Sequence, residues 1–217
     1  RPLRPLFPKD FRNDVCVTAT VLSVEQDNSP EVCAMIGASA ALSISDIPFG
    51  GPTAAVNVGW VDGEIVINPT VAQREKSKLT ATVAGTLEKI TMIEAGADEI
   101  PNETMLEAIK KAHEEIKNIC HFISDIQAEI GKPKFEYKSF AVDADFYQDI
   151  VEHFKDRMYQ DVQATDKEVR DANIDKITED ITAYVVEKYG EEAAEERKMD
   201  IADSVHDLEK ACVREMI

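Results

Sequence analysis

Every strand-like pattern in this chain lies before Lys132-Pro133-Lys134, and everything after it repeats at helical spacing. Proline removes a backbone donor and pushes its predecessor out of the helical region, so a long helix cannot run through that point. The partition predicts an α/β unit over residues 1–131 and a small all-helical unit over residues 132–217.

Residues 14–24 (DVCVTATVLSV) alternate and are rich in Val and Thr, which predicts a strand. Asp27-Asn28-Ser29-Pro30 is turn chemistry leading into a helix from about Glu31 to Ser45, with Ser29 as cap and Pro30 in the first turn. Small residues on that helix (Ala34, Gly37, Ala38, Ala40 and Ala41) suit close packing on a sheet. Turn signals follow at Ile47-Pro48 and Gly50-Gly51-Pro52. Asp62-Gly63 between two apolar runs predicts a hairpin of residues 54–59 and 64–68. Residues 79–84 and 90–95 read as two further strands. Residues 103–130 carry Met105, Ile109, Ala112, Ile116, Ile119, Ile123, Ile126 and Ile130 at spacings alternating between four and three, closed by Gly131 as C-cap. That seam fits a helix ~42 Å long lying across a sheet, or, alternatively, one strand of a coiled coil. Beyond the break, residues 145–163, 166–189 and 191–216 read as three helices, punctuated by Asp145, Thr165-Asp166 and Gly190.

Composition narrows the function. The chain has 217 residues and a net charge of −18, which argues against gripping nucleic acid over its whole surface. The balance of 44% hydrophobic and 30% charged residues excludes collagen-like, mucin-like and linker classes. No run approaches the ~18 apolar residues of a membrane-spanning helix, so no membrane partner is expected. No secretory signal opens the chain, and Arg1 in place of Met reads as a processed product or an excised piece. Cys16, Cys33, Cys120 and Cys212 stand far apart with no CxxC, so reduced, buried thiols and a cytoplasmic setting are expected.

The charge is uneven. Arg1, Arg4, Lys9 and Arg12 against Asp10 give the first twelve residues a net +3, and the rest of the chain carries −21. Arginine suits bidentate phosphate contacts. The same residues also fit a lead-in whose arginines pair with the acidic bulk, or, through Pro2, Pro5 and Pro8, a polyproline ligand. Neither a G-x-x-x-x-G-K-[ST] nor a G-x-G-x-x-G run occurs, and His113-Glu114-Glu115 forms no H-E-x-x-H. Asp143 and Asp145 offer either two carboxylates for a divalent cation or a helix N-cap.

The strings RPLRPLFP, AMIGASAALSISDIPFGGP, INPTVAQREKSKL, VAGT and MIEAGADE, in this order and spacing, resemble polynucleotide phosphorylase (polyribonucleotide nucleotidyltransferase). The resemblance is close over residues 1–131 and looser in the helical part. It implies the second half of the first of two RNase PH-like cores, an α/β half-core with a mixed sheet and packed helices, followed by the family's all-helical domain. The family degrades RNA from the 3′ end with inorganic phosphate and Mg2+, releasing nucleoside diphosphates, as a trimeric ring around a channel. Its second core receives phosphate at a serine-rich turn, and the matching positions here are Ser29, Pro30 and Glu31. A D-x-D-x-K pattern there supplies carboxylates, and here that stretch reads Lys78-Leu79-Thr80-Ala81-Thr82. Resemblance therefore implies a non-catalytic copy with no catalytic or metal residue, and no cofactor bound by these 217 residues. It implies RNA contact at Arg1 and Arg4, which continue an Arg-rich loop facing the channel. A non-catalytic assembly module that binds protein partners, and an independent enzyme resting on Asp143 and Asp145, are the competing readings. Unpaired sheet edges predict self-association.

Overall fold

The computed structural model describes residues 1–217. It divides into two compact units, Arg1–Ser139 and Phe140–Ile217. The first unit contains α1 (Pro30–Ile44), β1 (Ala54–Val61), β2 (Glu64–Ile67), a one-turn α2 (Val71–Arg74), β3 (Leu79–Gly85), β4 (Ile90–Ala97) and α3 (Asn102–Ile130). The β1–β2 hairpin closes at Val61↔Glu64. Asp62 and Gly63 take φ of 52° and 87°, the positive pair that a two-residue turn between twisted strands requires.

Strand order is β2-β1-β3-β4, and every pairing is antiparallel. The mixed sheet expected from the resemblance is therefore corrected. So is the strand at residues 14–24, which joins no ladder, with Leu22 92% exposed. Alternating Val and Thr favour a pleated surface only where a neighbouring strand supplies the other half, and here none does.

One face of the sheet is dry. Ala54, Val56, Val58, Leu79, Ala81 and Val83 pack against Ala108, Ala112, Ile116 and Cys120 of α3. The buried stripe of α3 is Ala108, Ala112, Ile116, Cys120 and Ile123, while Ile130 at the end of the expected seam is 60% exposed. Contact with a sheet selects the spacing of a single helix, near 3.6, and small Ala108 and Ala112 allow close approach. Gly131 ends α3 at φ −66°, not in the left-handed region, with its N–H donating to Gln127 O at 2.8 Å. Glycine is needed there because an added Cβ would collide with that same carbonyl oxygen.

The contact division falls after Ser139 and not after Gly131, because residues 132–139 are tied to the end of α1. Lys132 N donates to Ile44 O at 2.9 Å and Phe135 N to Asp46 O at 2.8 Å. Lys134 Nζ donates to Leu42 O, Ser43 O and Ser45 O at 3.0, 2.9 and 2.6 Å, satisfying carbonyls that a helix end leaves without partners. Lys134→Met should cost about 1–3 kcal/mol, read as a lower denaturation midpoint with an unchanged slope.

The second unit is all helical: α4 (Ala144–Asp161), α5 (Lys167–Tyr189), α6 (Glu191–Glu196) and α7 (Lys198–Met216). The helix expected over 191–216 is broken at Arg197, whose guanidinium lies 4.9 Å from the Phe146 ring centroid and 5.5 Å from that of Tyr189. Ile150, Met158, Ile177, Ile181, Val185 and Leu208 fill the core. Of the four cysteines, Cys120 and Cys212 are buried, and Cys16 and Cys33 are exposed, correcting the expectation of four buried thiols. Burial pushes the Cys120 thiol up to about 11, so it stays protonated.

Candidate nucleic-acid interface

The cationic N-terminal segment is ordered by local turns and by distant anchors. Arg4–Leu6 forms a 3-10 turn, with Leu6 N donating to Leu3 O, and Phe11 N donates to Pro8 O. This turn interrupts any continuous polyproline helix over RPLRPLFP. Gly50 N donates to Leu6 O at 2.7 Å, and a Cβ on Gly50 would stand only 3.0 Å from that oxygen. Aromatic rings continue the anchoring: Phe7 packs on Phe49 at 5.3 Å and stacks on Phe11 at 6.3 Å, and Phe11 meets Tyr137 edge-on at 5.0 Å.

Arg1 and Arg4 are exposed. Neither they nor Lys9 enter an ion pair, so they are not neutralised by the acidic bulk. With Phe7, Lys9 and Phe11 they line a groove of about 620 Å3. Cations at the rim and aromatic rings in the wall are the elements with which proteins hold single-stranded nucleic acid. Sequence reasoning selected Arg1 and Arg4 but passed over Phe7 and Phe11, which carry no charge signal and whose apolar character reads as core.

The positions matching the family's phosphate turn are occupied differently. Ser29 Oγ donates to Glu31 Oε2 at 2.6 Å, which holds the Glu31 carboxyl below its usual range and ionised. Pro30 begins α1 without an N–H to offer. The preceding turn is fastened to α2, with Val71 N donating to Asp27 Oδ1 at 2.8 Å and Arg74 Nη2 to Gln26 O at 2.9 Å.

The NPT run has structural work. Asn68, at φ 49°, accepts from Asn57 N through its side chain at 2.9 Å and donates its own N–H to Asn57 O at 2.7 Å. Thr70 and Gln73 form a reciprocal capping box at the start of α2. Lys78 and Thr80 are exposed, and Thr82 Oγ1 donates to Asn57 Oδ1 at 2.8 Å. This donor set, a lysine and two threonines with one hydroxyl engaged, does not fit a hard divalent cation.

Asp143 caps α4, accepting from Phe146 N at 2.9 Å. Asp145 lies with it at the edge of a shallow cavity that also takes in Asp149, Lys188 and Arg197. There Lys188 Nζ donates to Asp149 Oδ1 at 2.6 Å, lowering the carboxyl's pKa and raising the amine's. His113 meets the Thr86 carbonyl at 3.0 Å. Across the chain no three His, Cys, Asp or Glu side chains gather to hold a metal. No helix is long and apolar enough to cross a membrane.

Comparison with known proteins follows the same division. Residues 1–48 match the profile of the 3′ exoribonuclease family, domain 1, and residues 51–115 match domain 2 of that family. Residues 145–217 match a profile described as polyribonucleotide nucleotidyltransferase, RNA binding domain. The polyribonucleotide nucleotidyltransferase of Ruminiclostridium cellulolyticum is 56% identical over all 217 residues, and that of Caldicellulosiruptor saccharolyticus 52%. In both cases the match spans 100% of this chain and 30% of the relative.

Proposed function

We propose, from the premise that this chain belongs to the polyribonucleotide nucleotidyltransferase family of 3′ exoribonucleases, that its 217 residues form scaffold and channel wall, not the active site. The parent activity in this reading is phosphate-dependent 3′-to-5′ RNA degradation releasing nucleoside diphosphates. Mg2+ serves as cofactor and inorganic phosphate as co-substrate, both held elsewhere in the complete enzyme. The observation that carries the reading is that Lys78 and Thr80, both exposed, stand where the resemblance implies the two carboxylates of the working core, while Thr82, in the place of its lysine, donates to Asn57. Ser29 spent on Glu31 supports it from the other side of the chemistry.

RNA is the partner, met through Arg1 and Arg4, and a trimeric ring in the cytoplasm is the setting. Replacing Arg1 and Arg4 by alanine should weaken oligo(A) binding and flatten its salt dependence by about one unit of slope per arginine. Anisotropy titrations across a salt series check this, and an unchanged slope sinks the assignment. The second reading is an assembly module, for which Leu106, Phe122 and Ile130 of α3, 51%, 64% and 60% exposed, are apolar side chains available to a partner chain.

A further inference from the structure

Asp10 is out of place in a segment that serves phosphate, since its charge opposes the four cations around it. Its carboxylate is nonetheless fully employed. Tyr137 Oη donates to Oδ1 at 2.9 Å and Ser139 Oγ donates to Oδ2 at 2.6 Å, from 127 and 129 residues away. The next residue, Phe11, packs against Tyr137 and Phe135, with ring centroids 5.0 and 6.1 Å away. Residues 134–139 are themselves held by the three carbonyls that Lys134 caps. On the other side the segment is pinned by Gly50 N on Leu6 O and by Phe49 on Phe7. Arg1, Arg4 and Lys9 thus sit on a strip of chain fastened at both edges.

We propose that Asp10 is a positioning residue for RNA: by latching the N-terminal segment to Tyr137 and Ser139, it sets the spacing of Arg1, Arg4 and Lys9 along the groove. The inference rests on the reading that these cations meet RNA. A segment ordered before the ligand arrives spares the complex the entropy of ordering it. The negative charge is retained because its hydrogen bonds hold the cations in register.

The test separates the latch from simple electrostatics. Binding of fluorescein-labelled oligoadenylate is measured on the folded 217-residue chain for Asp10→Asn, Tyr137→Phe, the pair together, and Arg4→Ala. Tyr137→Phe changes no charge and is expected to weaken binding about 5-fold, the worth of one hydrogen bond. Asp10→Asn removes a negative charge beside a polyanion site, which by charge alone tightens binding; the latch requires it to weaken. The double variant is expected to bind no worse than the weaker single, and all three are expected to keep the wild-type salt slope that Arg4→Ala reduces. Tightening or no change in Asp10→Asn, while Arg4→Ala weakens, overturns the latch and leaves the RNA reading standing. Indifference to Arg4→Ala, or no binding by the unaltered chain, overturns both.

Discussion

Incubated with oligo(A), inorganic phosphate and Mg2+, the 217-residue chain is expected to release no nucleoside diphosphate. On the proposed function, two separate requirements of phosphorolysis are unmet by the residues present. Attack by phosphate needs donors that hold an anion. At the matching turn Pro30 has no N–H, and the Glu31 carboxylate is kept ionised by Ser29. Charge developing in the transition state needs a metal or an equivalent cation clamp. The matching stretch of β3 offers Thr80 and Thr82, the latter donating to Asn57. Losing either requirement removes several kcal/mol of transition-state stabilisation, and losing both leaves no measurable turnover. Product release that is phosphate-dependent and abolished by a chelator, from the pure chain, would falsify the non-catalytic reading.

Ile116→Ala is expected to destabilise the first unit by about 2–5 kcal/mol, while Ile130→Ala stays within about 0.5 kcal/mol. Both residues lie on the same expected seam of α3. Ile116 is 0% exposed and is walled by the β1 and β3 side chains, so truncation opens a cavity between helix and sheet that neither element can close. Ile130 is 60% exposed and loses little. With typical domain stability of about 5–15 kcal/mol, the first substitution removes a large fraction of the total. Denaturant titrations giving equal midpoints for the two variants would mean that α3 does not pack as described.

Local chemistry made much of the fold legible. Asp62-Gly63 announced its hairpin because few residues accept two consecutive positive φ angles. Ser29-Pro30 and Gly190 marked helix ends for equally local reasons. Thr70–Gln73 is a capping box too short to show as a helical pattern, and α2 was missed for that reason. The break at Arg197 was missed because Glu191–Met216 keeps helical composition throughout, and the rings of Phe146 and Tyr189 beside the Arg197 guanidinium come from outside that stretch. At the candidate site the arginines were legible through their charge against an acidic chain. The latch was not, since Asp10 and Tyr137 are separated by 127 residues and neither carries a motif.

By itself the sequence determined the order of elements, the turns between them, the concentration of positive charge in the first twelve residues and the run Lys78-Leu79-Thr80-Ala81-Thr82, which holds no carboxylate. These follow from backbone preferences and side-chain chemistry that act over a few residues. Only the tertiary structure decided that residues 14–24 stay unpaired, that the sheet is antiparallel throughout and that α3 buries Ala108 and Cys120. It also decided that residues 132–139 belong to the first unit and that Arg1 and Arg4 remain unpaired beside an aromatic wall. Each of these depends on which surface lies opposite, and a strand, a seam or a charge has no partner until the chain has folded.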